Sequence, residues 1–234
     1  MIVELKLING EIKNLDISPT HIQSHFNNVQ NCTGPILSQI NNNYYDRFIT
    51  PDDKIIIDLG ANIGLVSMHL APYANKIISV EPTPNHFSIL EYFTTDSPNI
   101  YRLRGAVSDK RETTSFYLLS DTTENSLMPF FNNKVGTEVQ VETYTLKDII
   151  DLYNLDIVDF VKIDIEGSEV KFLSKDNIDT LNKYVKKFFV EFHNVNNKTY
   201  SEHRDYYQNI FRQDGWNTEI INHDVLYCFK SIKK

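Results

Sequence analysis

Residues 54–64, Lys-Ile-Ile-Ile-Asp-Leu-Gly-Ala-Asn-Ile-Gly, close a short apolar run with a carboxylate, Asp58, and follow it with Gly60 and Gly64. An acid at a strand end repels a phosphate and suits an ammonium or sulfonium cation. The glycines let a ligand approach the backbone, and the following helix start offers N–H groups. About 20 residues on, Glu81 ends a second apolar run, where an acid can accept both hydroxyls of a ribose. Asp164 ends a third run, with Glu166 and Glu169 just behind it. Glu191 and His193 hold alternate positions of a fourth and therefore face one side. Together these side chains can bind a nucleoside carrying a cation and take a proton from a second substrate.

The elements that must position them follow from the sequence pattern. Ile55–Ile57, Ile77–Glu81, Ile100–Leu103, Phe160–Asp164 and Lys187–His193 read as strands. Helices are expected over 63–70, 84–95, 145–153 and 200–212, with Pro72 and Gly215 as stops. Strand–helix alternation with short links implies a parallel sheet with right-handed crossovers. Residues 218–221 and 225–229, joined by three residues, permit only an antiparallel pair. Ahead of the sheet, residues 1–18 read as a hairpin turning at Asn9-Gly10. Residues 19–50 carry Ile36, Leu37, Ile40, Tyr44 and Phe48 on a helical stripe that covers the sheet edge or roofs the ligand. The division is thus 1–50, an N-terminal hairpin and helical cap, and 51–234, the sheet domain. Strands at 115–119 and 138–144 enclose a polar loop with Asn125, Ser126, Met128, Pro129, Phe130 and Phe131, read either as a substrate lid or as a surface hairpin.

Composition narrows the function. The 234 residues are 41% hydrophobic, as in a globular protein, and carry a net charge of −8 with no basic run, which argues against nucleic acid as substrate. No apolar stretch is long enough to span a membrane. Cys32 and Cys228 are far apart and read as reduced, which favours a cytoplasmic setting. Asn31-Cys-Thr33 and Asn197-Lys-Thr199 fit the glycosylation pattern by chance on that reading.

Four stretches together resemble the FkbM-type methyltransferases, a class I S-adenosylmethionine-dependent family. They are Asp58-Leu-Gly-Ala-Asn-Ile-Gly64, Glu81-Pro82, Leu146 and Asp148 leading to Val161-Lys-Ile-Asp-Ile-Glu-Gly167, and Glu191-Phe-His193. The resemblance covers residues 50–195 and implies a Rossmann-like α/β fold, a mostly parallel sheet with an antiparallel C-terminal hairpin and helices on both faces. It also implies S-adenosylmethionine as cofactor and O-methylation of a small molecule or sugar. Asp58, Gly60, Asn62, Gly64, Glu81, Pro82, Asp109 and Asp164 are then the candidate cofactor contacts, Asn62 being also a helix-cap candidate and Ser108-Asp109 also a plain turn. Glu166, Ser126 and His193 are the candidate substrate contacts.

For catalysis, His193 is the first candidate base, Asp164 the second, with Glu191 beside them. Alternatively Asp164, Glu191 and His193 hold a divalent cation, Mg²⁺ or Ca²⁺, that acidifies the hydroxyl. Lys162, inside a buried strand, is expected to pair with one of the acids. Glu166 and Glu169 could also serve the dipole of the next helix. His69 reads as packing or surface. Three rival readings stand beside this one. An NAD-dependent oxidoreductase needs G-x-G-x-x-G, and Asn62 stands where the second glycine belongs. A non-catalytic binding subunit would be expected to have lost Asp58, Gly60 or Glu81, and all three are present. N-methylation of the Asn/Asp-Pro-Pro-Tyr type lacks its motif after the fourth strand.

Overall fold

Ile-, Val- and Phe-rich runs supply the central strands, because a strand covered on both faces needs apolar side chains at nearly every position. In a computed structural model the description covers residues 2–118, 125, 127, 130–131 and 134–231, without the side chains of 21, 24–33, 130, 131, 134 and 135. The chain opens with β1 (Ile2–Lys6) and β2 (Ile12–Asp16), an antiparallel hairpin, followed by α1 (Thr20–Asn41). Next come β3 (Ile55–Leu59), α2 (Leu65–Leu70), β4 (Lys76–Glu81), α3 (Pro84–Phe93) and β5 (Ile100–Arg104). The middle section holds β6 (Ala106–Val107), β7 (Thr113–Leu118), β8 (Phe130–Phe131), β9 (Lys134–Val135) and β10 (Thr137–Tyr144). The alternation resumes with α4 (Leu146–Leu152), β11 (Val158–Ile163), α5 (Glu169–Phe172), α6 (Lys175–Tyr184), β12 (Val185–Glu191), α7 (Tyr200–Gln213), β13 (Asn217–Ile220) and β14 (Val225–Phe229).

Seven strands form one sheet in the order β5-β4-β3-β11-β12-β14-β13. All neighbours are parallel except β14, which runs antiparallel to both β12 and β13. The chain leaves β3 toward β4 and β5, then returns to β11 on the other side of β3. That reversal opens a crevice beyond the strands' C-terminal ends, where α/β sheets bind ligands.

Strand residues alternate between two apolar layers, as the pleat requires. Ile57, Ile78, Val161 and Phe188 pack with Leu146 and Ile149 of α4, Leu181 of α6 and Phe211 of α7. Ile56, Ile77, Phe160 and Phe189 pack on the other face with α2, α3 and the N-terminal segment. Leu5, Leu15, Ile22, Ile40, Tyr45 and Phe48 belong to that second layer, so the first 50 residues share a core with the sheet. Phe48 lies flat against Phe160, with ring centroids 6.2 Å apart.

Several boundaries differ from the sequence expectation. Helix α2 starts at Leu65 rather than Ile63, because Asn62 (φ 52°) and Gly64 (φ 86°) are left-handed. Asn41 closes α1, and Asn43 turns the chain with φ 58°. Strand β10 pairs antiparallel with β7 and parallel with β6, forming a small sheet that packs Ala106, Phe116 and Val141 together. The lid expectation concerns residues 120–136; Ser126, Met128 and Pro129 and the side chains of Phe130 and Phe131 lie outside the described residues. The Cys32 side chain also lies outside them, whereas Cys228 is a buried free thiol. Among the described residues no helix is long and apolar enough to cross a membrane.

Candidate active site

The crevice holds a cavity of about 220 Å³. Its floor is the loop after β3 (Gly60–Ile63) together with Lys162 and Asp164, and one flank is Glu81, Pro82, Thr83 and His86. Gly105, Ala106, Val107 and Phe116 form a mostly apolar wall, Asn125 and Leu127 close it, and Pro35, Ile36, Gln39 and Tyr45 roof it. At the far end stand Asp164, Glu166 and Glu191.

The loop after β3 is bound tightly to its neighbours. Gly60 adopts φ 77°, and a Cβ there would come 1.8 Å from the carbonyl oxygen of Asp164, so no other residue fits without moving β11. The Gly60 and Ala61 N–H groups both donate to Val80 O at 3.0 Å. Asn62 N–H donates to Glu81 Oε2 (2.9 Å), Ile63 N–H to the Asn62 side chain (2.8 Å) and Gly64 N–H to Ala61 O (2.8 Å). The expected free N–H groups belong to the start of the following helix at Leu65, which these bonds do not involve, whereas within the turn, residues 60–64, each N–H already has a protein acceptor. A phosphate needs such donors unclaimed. Asn62 stabilises the turn rather than capping the helix, whose N-cap is Gly64. Gly64 is off the cavity wall, pressed against Leu90 where a Cβ would approach to 2.4 Å.

Glu81 is buried at the end of β4. Its Oε1 accepts Thr83 N–H at 2.8 Å and lies 3.6 Å from His86 Nδ1. Burial opposes its ionisation, but His86 and the Thr83 N–H outweigh it and hold the carboxyl below the usual range. The carboxylate thus fastens the loops after β3 and β4 while lining the cavity.

Asp58 does not reach the cavity wall. It pairs in register with Lys162 of β11 and Ser79 of β4, and its side chain stays among them. Ser67 Oγ lies 2.6 Å from Asp58 Oδ2 and 2.7 Å from Ser79 Oγ, and Lys162 Nζ lies 3.4 Å from Asp58 Oδ1. The same ammonium is 3.2 Å from Asp164 Oδ2 and donates to Gly60 O at 3.1 Å. Burial works against the charge on Lys162, but Asp164 and Asp58 outweigh it and raise its pKa. Lys162 therefore pairs with two acids, one inside the sheet and one at the cavity.

Asp164 and His193 both lie just past strand ends, which brings them beside Glu191: one ligand-type atom from each of the three falls within 4.8 Å of the others. His193 stands behind the cavity wall, with Nδ1 3.1 Å from Glu169 Oε1 and Nε2 3.3 Å from Glu166 Oε2. Burial disfavours the imidazolium, yet Glu169, Glu166 and Asp164 raise its pKa well above the ordinary value. The Asp164 charge and burial push Glu191 up to about 8. Burial, with Asp164, Glu169 and Glu191 nearby, also raises Glu166.

Asp109 is not brought to the cavity: it accepts from Ser108 Oγ at 2.9 Å and faces Lys171 at 3.7 Å, which fits the turn reading. Ser126 lies outside the described residues. His69 is fully buried, joining Lys6 O and Asp46 across the N-terminal segment. Among the polar wall residues that sequence reasoning missed are His86, Thr83, Tyr45 and Gln39. His86 and Thr83 follow Glu81 so closely that the helix start alone could have marked them. Tyr45 and Gln39, joined by a 2.8 Å hydrogen bond, come from the roof and carry no local signal.

A family model for the methyltransferase FkbM domain matches residues 58–215. Methyltransferase 1 of Beauveria bassiana (strain ARSEF 2860) is 26% identical over 151 residues, covering 55% of this chain and 61% of that protein. The chain thus spans less than two thirds of that relative's length. The solved methyltransferase FkbM of Methylobacillus flagellatus KT superposes with a TM-score of 0.50 at 19% identity, covering 76% of this chain and 44% of that one. This likeness is one of fold, and the fold is that of the class I methyltransferases.

Proposed function

The chain belongs to the methyltransferase FkbM domain family, and we propose that it moves a methyl group from S-adenosylmethionine to a hydroxyl of a small molecule, a sugar or glycan precursor foremost. The observation that carries this reading is the polarity of the cavity: a buried acid, Glu81, on one flank and the carboxylates Asp164, Glu166 and Glu191 at the far end. Bound S-adenosylmethionine supplies the activated methyl group. Glu81 suits the ribose hydroxyls, the Ala106–Phe116 wall an adenine ring, and the Asp164 carboxylate on the floor a sulfonium. Asn62 stands where the dinucleotide fingerprint needs its second glycine, and the N–H groups of 60–64 are already claimed within the turn; both weigh against the NAD alternative.

The residues at the acceptor end divide the remaining work. A hydroxyl must lose its proton as it attacks, and the best acceptor has a pKa near the working pH. Glu191, on the cavity wall and pushed up to about 8, meets both conditions. A Glu191 carboxylate oxygen takes the proton. His193, the first candidate from sequence, holds its own proton between Glu166 and Glu169, which favours Glu191 as base. Asp164, fixed by Lys162, lines the floor. A divalent cation on Asp164, Glu191 and His193 is disfavoured, because the Lys162 ammonium already sits 3.2 Å from Asp164.

The test is transfer of labelled methyl from S-adenosylmethionine to a panel of neutral hexoses, amino sugars and simple amines, in EDTA. Label on a hydroxyl of a neutral sugar is the expected result. Label on amines alone, or turnover only after Mg²⁺ or Ca²⁺ is restored, would overturn it.

A further inference from the structure

We propose that Glu169 is a positioning residue of the acceptor end, fixing the His193 ring and the turn that carries Glu166 as one unit. The proposal rests on the acceptor-end reading above for its consequence in turnover, but its geometry stands alone.

Glu169 is fully buried at the first position of α5. A helix of four residues has little dipole to complement, and the side chain turns back from it. Its Oε1 accepts from Ile165 N–H at 3.0 Å and from Gly167 N–H at 3.2 Å, and lies 3.1 Å from His193 Nδ1. Between those two donors Glu166 holds φ 51°, and the second donor, Gly167, holds φ 87°. A left-handed Glu is an uncommon conformation that persists only when its surroundings enforce it. The Glu169 carboxylate supplies that enforcement, bracketing Glu166 from both sides.

His193 arrives from another element, the loop after β12. With Nδ1 engaged by Glu169, the ring turns Nε2 toward Glu166 Oε2, 3.3 Å away. A buried carboxylate behind an imidazole, setting which nitrogen faces the site, is a recurring device for orienting a histidine. Glu169 Oε2 has no hydrogen-bond partner among the described residues although it is buried. A neutral amide could accept the same two backbone donors with less desolvation. The charge is therefore matched to the ring rather than to the turn.

The test uses the full chain labelled with ¹⁵N, the His193 resonances being assigned by their loss in His193→Gln. In the wild type the His193 Nδ1–H proton is expected downfield and in slow exchange; fast exchange there would overturn the proposal without any variant. In Glu169→Gln, which keeps the turn's acceptor, that resonance should move upfield or vanish while the melting temperature and S-adenosylhomocysteine affinity stay near wild type. An unchanged resonance would overturn the proposal. On the acceptor identified by the methyl-transfer panel, Glu169→Gln should lower turnover about tenfold or more. It should add no further loss to His193→Ala, and additive losses would contradict action through His193. A wild type that binds no S-adenosylhomocysteine would defeat the methyl-transfer reading while leaving the ring assignment to stand or fall on its own spectrum.

Discussion

A carboxyl group that gives up its proton near pH 8 is neutral through most of the acid range, and this governs how Glu191 should behave. Activity is expected to rise with pH through about 8 as Glu191 ionises. Glu191→Gln should cut turnover by about 10²–10⁴-fold with little change in cofactor affinity. A wild-type profile already flat by pH 6 would contradict the assignment. Stability should move the opposite way. Its folded pKa is raised above the ordinary 4.5, so its stabilising contribution is complete below pH 4.5 and is lost as pH rises through about 8. Melting temperatures across that window test this, and Glu191→Gln should flatten the slope. Asp58 and Glu81 should separate in the same way that their positions do. Asp58→Asn strips a buried partner from Lys162 and Ser67 and should lower unfolding free energy by about 1–3 kcal/mol, read by urea denaturation. Glu81→Gln should act first on S-adenosylhomocysteine affinity, read by calorimetry. Strand-end spacing placed Glu81, Asp164 and Glu191 at one edge of the sheet from sequence, and the structure sets all three on the cavity wall with His193 behind it. Spacing could not reveal that Asp58 faces inward, since that depends on its register with Lys162.

At the scale of elements, the loop after β3 is where local sequence and tertiary packing meet. Gly60→Ala would drive a Cβ to 1.8 Å from the Asp164 carbonyl at a backbone of φ 77°. β3 and β11 would have to part, at a cost of about 1–3 kcal/mol, and cofactor affinity should collapse along with the melting temperature. Wild-type affinity in Gly60→Ala would show that the close approach is not needed. The apolar runs made the five parallel strands and the final hairpin legible, because their period and their short links leave few topologies. Helix starts were less legible: the left-handed Asn62 delays α2 by two residues, and no periodicity encodes that. Glu169 was read as a helix-dipole acid for the same reason, since only the fold turns its side chain back on its own turn.

At the scale of the molecule, the N-terminal segment packs into the sheet's second apolar layer and lends Pro35, Ile36, Gln39 and Tyr45 to the cavity roof. The stripe of Ile36, Ile40 and Phe48 foretold a cover, but which face it covers is set by the aromatic contacts of Phe48 with Phe160 and Phe189. The cavity under that roof is expected to take an S-adenosyl nucleoside and not a dinucleotide with its pyrophosphate. Calorimetric titration of S-adenosylhomocysteine and of NAD into the wild type and Glu81→Gln tests it most directly. Saturable binding of S-adenosylhomocysteine to the wild type is expected, weakened about tenfold or more in Glu81→Gln, with no binding of NAD. Binding of NAD with none of S-adenosylhomocysteine, or equal S-adenosylhomocysteine affinity in both proteins, would contradict it.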